Sequence, residues 1–92
     1  MAMRQVATCT YAGIETRYCG PTNYKGSRIR CSRPDDPRYR VRYYDWDCAL
    51  DVRENHERAC VEYMRYMDWH GRMVGCYTKR GYVFAFVKKE AY

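Results

Sequence analysis

Polar and apolar residues alternate along much of this 92-residue chain, and in one stretch they follow a helical spacing instead. Ile14 to Cys19 reads as a strand with Thr16 and Tyr18 on the face of Ile14, because successive side chains in a strand point to opposite sides. Residues 4–11 alternate more weakly and predict a leading strand that ends at an Ala12-Gly13 turn. Ser27 to Arg33 and Arg38 to Tyr44 alternate arginine with apolar or aromatic residues, and Pro34-Asp35-Asp36-Pro37 between them predicts a hairpin. The helical stretch opens at Asp51-Val52-Arg53-Glu54, where a glutamate three positions after an aspartate predicts a capping box. Val52, His56, Ala59, Tyr63 and Met67 then share a face, Cys60 and Met64 widen it, and Gly71 suits a stop. Residues 72–78 and 82–87 predict a second hairpin across Lys79-Arg80-Gly81. Strands, one helix and a final hairpin imply an α+β fold: a small antiparallel β-sheet with one amphipathic helix packed on one face. Ninety-two residues make a single domain, with 1–13 as an N-terminal extension or edge strand and 88–92 as a charged tail.

The arginine-rich runs carry the sharpest chemistry. Arg28 and Arg30 share one strand face, as do Arg38, Arg40 and Arg42. Pairing the runs would merge all five into a cationic surface over Ile29, Cys31, Tyr39, Val41 and Tyr43, with Arg33 at the end of the first run. Clustered guanidiniums repel one another, so a polyanion or an acidic protein surface is their natural partner; a solvated sheet face is the plainer alternative. Before the first run, Gly20 to Gly26 forms a loop that lacks the glycine-lysine-serine/threonine order of a phosphate-binding P-loop. Its backbone amides, with Asn23, Tyr24, Lys25 and Ser27, can still meet a phosphate or a base, or simply make an ordered turn. Tyr24 and Tyr44 lie near enough in sequence to the arginines for their rings to stack on unpaired bases.

Charge is distributed in blocks. Residues 1–44 hold nine Lys/Arg against three Asp/Glu, residues 45–70 three against seven, and residues 71–92 five against one, for a net charge of +6. Asp45, Asp47, Glu54, Glu57, Glu62 and Asp68 read as the solvated side of the helix and its lead-in, or as a second contact surface. No stretch reaches the ~18 apolar residues of a membrane span, and the start shows no apolar secretory core, so a cytosolic protein is expected. There the scattered cysteines, Cys9, Cys19, Cys31, Cys48, Cys60 and Cys76, read as free thiols serving as small hydrophobes. His56 and Cys60 are spaced like half a zinc site, but no Cys-x-x-Cys completes it, and nothing supplies an orienting group for a nucleophile. The expectation is no metal, no cofactor, no small-molecule substrate and no enzymatic activity.

A resemblance adds to this reading. The segment Gly20-Pro21-Thr22-Asn23-Tyr24-Lys25-Gly26-Ser27-Arg28-Ile29 is similar to a GPTN-x-x-GSRI segment in small phage-encoded proteins. Glu54-Asn55-His56 and Arg80-Gly81-Tyr82-Val83-Phe84-Ala85-Phe86 extend that likeness to roughly residues 14–87. The whole chain also resembles a phage anti-CRISPR of the type I-F class. This implies a non-catalytic inhibitor in the host bacterial cytoplasm that binds the crRNA-guided surveillance (Csy, or type I-F Cascade) complex. It would contact backbone and large Cas subunits, together with the crRNA, and prevent target DNA binding or hybridisation. A basic chain is a poor DNA mimic, so its arginines are expected on the guide RNA and its acidic helix on the basic protein channel. A monomer is expected. The alternative is a free-standing phage protein that binds single-stranded nucleic acid.

Overall fold

A computed structural model describes residues 13–36, 38 and 40–86. The expected leading strand at 4–11 and the tail at 88–92 lie outside these residues. The fold is α+β, with elements β1 (Ile14–Cys19), β2 (Arg28–Ser32), β3 (Arg42–Asp45), α1 (Val52–Met67), β4 (Met73–Tyr77) and β5 (Gly81–Phe86). The strands form one antiparallel sheet in the order β3-β2-β1-β5-β4. The first three make a meander. The helix then crosses from one edge strand to the other, and the last hairpin returns to pair β5 with β1.

Alternation decides which side the helix covers. Ile14 and Thr16 of β1, Ile29 and Cys31 of β2 and Phe84 of β5 lie on one face, all at most 5% exposed. Ala59, Cys60 and Tyr63 of α1 close over them. The helix begins as expected: the Asp51 carboxylate accepts from Glu54 N–H at 2.7 Å, and Glu54 accepts from Asp51 N–H at 3.2 Å. Two expectations for α1 need correction. Val52, the first helical residue after the cap, is 54% exposed, and Asn55 takes the buried place beside His56. The stop comes at Asp68, whose left-handed backbone (φ 55°) returns its N–H to the carbonyls of Met64 and Arg65 before Gly71 is reached.

Asn55 clasps the connection from β3 to α1. Its side-chain amide donates to the carbonyls of Asp47 (2.9 Å), Leu50 (3.2 Å) and Asp51 (3.0 Å), and its oxygen accepts from Asp47 N–H at 2.8 Å. Gly81 has φ 155°, and a Cβ there would run into the Thr16 carbonyl oxygen, so glycine is required where β5 meets β1.

Candidate polyanion-binding face

The predicted second arginine strand is the main point at which sequence and structure part. Beyond Ser32 the chain makes a tight turn, with Asp36 N–H on the Arg33 carbonyl at 3.2 Å and the Arg33 guanidinium on Asp35 at 2.6 and 3.1 Å. After an isolated bridge between Arg33 and Asp36, β3 begins at Arg42, in the register Cys31↔Arg42, Arg30↔Tyr43, Ile29↔Tyr44 and Arg28↔Asp45. Residues opposite one another share a face, so Arg42 falls on the helix side with Cys31, and Tyr43 on the open side with Arg30. Arg40 adopts a left-handed backbone (φ 51°), and its carbonyl accepts from the buried Tyr63 hydroxyl at 2.9 Å. That turn breaks the alternation over 38–44. The Arg42 guanidinium lies 4.4 Å from the Tyr66 ring centroid of α1, and that of Arg40 lies 6.0 Å from it. Arg38 sits exposed in the intervening loop; Tyr39 and Pro37 are outside the described residues, and Val41 is half-buried outside the strand. Tyr43, expected beneath the arginines, is instead 50% exposed among them.

The open face therefore holds Arg28 and Arg30 as expected, but Arg17 of β1 replaces the arginines of the second run. Arg17 stands directly across from Arg30, and Arg28 across from Cys19. The Arg28 guanidinium carbon lies 4.9 Å from the Tyr43 ring centroid, a cation–π contact. Nε and Nη1 of Arg28 and Nε of Arg17 are shielded from solvent with no hydrogen-bond partner among the described residues. Arg17 also meets Glu15 at 3.5 Å, the long limit of a pair. Like charges facing each other, with donors left over, leave this surface short of anions. Period-two counting could have found Arg17, since it shares the Glu15–Arg17–Cys19 row of β1.

The loop before β2 presents its residues outward. Thr22 Oγ1 accepts from Lys25 N–H at 3.0 Å and Tyr24 N–H at 3.3 Å, and Thr22 N–H donates to the Lys25 carbonyl at 2.7 Å. This self-closed turn leaves Asn23 and Lys25 exposed and Tyr24 at 95% exposure. Ser27 hydrogen-bonds the Tyr18 hydroxyl at 3.0 Å, which anchors the loop's return. Tyr44 points to the helix side, where burial raises its phenol above the ordinary range. It shares that side with Arg42 and is turned away from Arg28 and Arg30.

Comparison of the chain with protein-family models, with curated proteins and with solved structures finds no match. The site must be read from its own chemistry.

The other candidates go elsewhere. His56 Nδ1 lies 2.7 Å from Thr16 Oγ1, and its ring packs on Tyr82 with centroids 4.8 Å apart. Burial lowers its pKa, so the ring is held neutral. Cys60 instead reaches Met73, Sγ to Sδ 3.6 Å, and burial pushes its thiol up to about 12. Burial, reinforced by Cys60, also raises the Cys31 thiol. These are packing thiols, poor nucleophiles at neutral pH. The five described cysteines are unbridged, and Cys9 lies outside the described residues. Among the described residues there is no group of three or more metal-ligating side chains and no helix long and apolar enough to cross a membrane. Glu57 and Glu62 sit 4.0 and 2.9 Å from Arg53 and Arg65, so the acidic helix surface is partly neutralised by its own arginines.

Proposed function

We propose that this protein is a non-catalytic, polyanion-recognising inhibitor of the phage anti-CRISPR kind, directed at the type I-F surveillance complex and its crRNA. The observation that carries the reading is the sheet face opposite the helix, where Arg17, Arg28 and Arg30 converge beside Tyr43 and where Arg17 and Arg28 keep guanidinium nitrogens with no partner among the described residues. RNA phosphates would take those donors, and Tyr43 and the projecting Tyr24 offer rings to unstacked bases. Arg38 and Lys25 add exposed positive charge from the two loops, whereas Arg33 and Arg42 are engaged with Asp35 and Tyr66. The resemblance over residues 20–29 supports the class of target, and the net charge of +6 favours the guide RNA over a DNA-mimicking contact. The motif divides accordingly: Thr22 and Ser27 build the loop, while Asn23, Tyr24, Lys25 and Arg28 are available to a partner. Glu54-Asn55-His56, by contrast, caps, clasps and fills the core.

The test is competition with target DNA for purified type I-F complex. Replacing Arg17, Arg28 and Arg30 together with alanine should abolish most inhibition. Replacing Arg53 and Arg65, which sit on the helix beside Glu57 and Glu62, should leave it nearly intact. Full inhibition by the sheet-face variant would refute the proposal. Strong, salt-sensitive binding to naked single strands without any effect on the complex would favour the free-standing nucleic-acid binder.

A further inference from the structure

The two edges of the sheet are finished differently. β3 ends one side with Arg42, Tyr43, Tyr44 and Asp45, a short strand carrying a charge at each end. β4 ends the other side as Met73-Val74-Gly75-Cys76-Tyr77, without a charge, a proline or a bulge, and with Val74 and Tyr77 55% and 72% exposed. An uncharged edge of this kind is a template for another strand. Its hydrogen-bonding pattern is fixed by the turn beside it. Thr78 N–H donates to the Gly81 carbonyl at 2.7 Å, so Thr78 faces β5. By antiparallel alternation, the backbone groups of Tyr77, Gly75 and Met73 face outward.

We infer that β4 pairs with β4 of a second copy of this chain, about a two-fold axis through Gly75, to make a continuous ten-stranded sheet. The edge is self-complementary in this register. Gly75 meets Gly75 of the second copy, and Met73 meets Tyr77, so every outward-facing N–H and carbonyl of the strand exchanges bonds with its mate. Side chains agree as well. Met73, Gly75 and Tyr77 share the helix side, where a cleft of about 600 Å³ runs between α1 and β4 over Cys60, Val61, Met64, Trp69 and Phe84. A Cβ at Gly75 would strike the Phe84 ring, so the floor of that cleft stays low at the proposed axis. Tyr77 of the second copy would extend over Met73 and cover the cleft's open side. Beyond the strand ends the charges are mixed, since Thr78 would face the exposed Arg72 of the second copy. Continuing the register sets Lys79 and Arg80 of one copy against Gly71 and His70 of the other. There the Asp68 carboxylate is exposed, 3.0 Å from His70. This dimer would differ from the monomer expected from sequence, since the apolar edge is visible only once the strand order is known. The arginine faces of the two copies would lie on the same side of the joined sheet.

Sedimentation of the wild-type chain under reducing conditions should show a reversible dimer of twice the 11.1 kDa chain mass. Tyr77→Glu, at a site exposed in the monomer, would place a carboxylate in the apolar cleft near Asp68 of the mate. It should weaken the dimer at least about tenfold while leaving the circular dichroism unchanged. The register itself is read by oxidation. Position 74 lies opposite position 76 of the mate in a non-hydrogen-bonded pair, within disulfide reach, whereas the two Cys76 residues are diagonal to each other. Val74→Cys should therefore form a disulfide-linked dimer readily, and adding Cys76→Ser should abolish it. A wild-type chain that sediments at 11.1 kDa at every concentration would overturn the inference and leave the edge to a strand of another protein. A dimer indifferent to Tyr77→Glu would overturn it equally.

Discussion

On the helix side of the sheet, Ile14, Thr16, Ile29 and Cys31 are at most 1% exposed, and even the polar Thr16 has a partner in His56. On the other side, one residue along the same strands, Arg17 and Arg28 hold guanidinium nitrogens out of water with no acceptor among the described residues. Two rows separated by the thickness of a backbone are thus built to different standards: Thr16 and Cys31 are satisfied by their neighbours, and Arg17 and Arg28 keep donors without a partner among the described residues. Unspent donors on an ordered surface cost stability that a stabilising sequence would not retain, which makes the open face the place to look for function.

The comparison can be broken most severely from the covered side. Tyr63 is fully buried, joins Ala59 and Cys60 in the core, and caps the Arg40 carbonyl. Tyr63→Ala should cost about 3–5 kcal/mol, enough to unfold much of a domain this small in urea titrations, and Tyr63→Phe about 1 kcal/mol for the hydroxyl alone. Loss of Asn55 comes next. Asn55→Ala removes the side-chain partner of the Asp47, Leu50 and Asp51 carbonyls and of the Asp47 N–H, and should cost about 2 kcal/mol in the same titration. Asp51→Ala, at the exposed cap, should cost about 1 kcal/mol.

The open side should answer in the other direction. Arg28→Met keeps the apolar stem and deletes the stranded donors, so its unfolding free energy in urea titration should equal or exceed that of wild type by up to about 1 kcal/mol, while inhibition falls. A clear loss of stability would mean that the Tyr43 contact outweighs the unpaired nitrogens, and the contrast between the faces would lose its force. The smallest effect is one of pH. Burial depresses the His56 pKa below its unfolded value near 6.5, so the unfolded chain binds the proton more readily. The contribution of a neutral His56 is complete above the unfolded pKa and is lost as pH falls through the folded one. The melting temperature should decline on acidification below about pH 6.5, and His56→Gln should flatten that part of the profile.

Much of the covered face was legible in the residues. The alternation Ile14-x-Thr16-x-Tyr18, the capping box and the glycine at the second hairpin are local signals, and each does locally what its chemistry requires. The arginine run 38–42 was misleading because its period-two pattern is also local, whereas the left-handed turn at Arg40 is held by Tyr63, 23 positions further along the chain. Asn55 reads as one more polar helix residue until its four bonds back to 47–51 are seen. Arg17 was available to the same counting that singled out Arg28 and Arg30, but it stood outside any arginine run. Which strand would become an edge was not legible at all, since strand order depends on the path of α1.

That path has a consequence for how the domain assembles. Synthesis from the N-terminus delivers β1, β2, β3 and α1 first, and these can associate through short-range contacts. The second flank of β1 stays bare until β5 emerges, because residues 14 and 84 are direct partners in the register. An antiparallel pairing so distant in sequence is slow to form, since the loop must close before the contacts reward it. During translation the most central strand of the sheet is therefore an edge for longest, exposing the backbone groups of Ile14 and Thr16 to whatever acceptor strand or chaperone arrives before Tyr82 and Phe84.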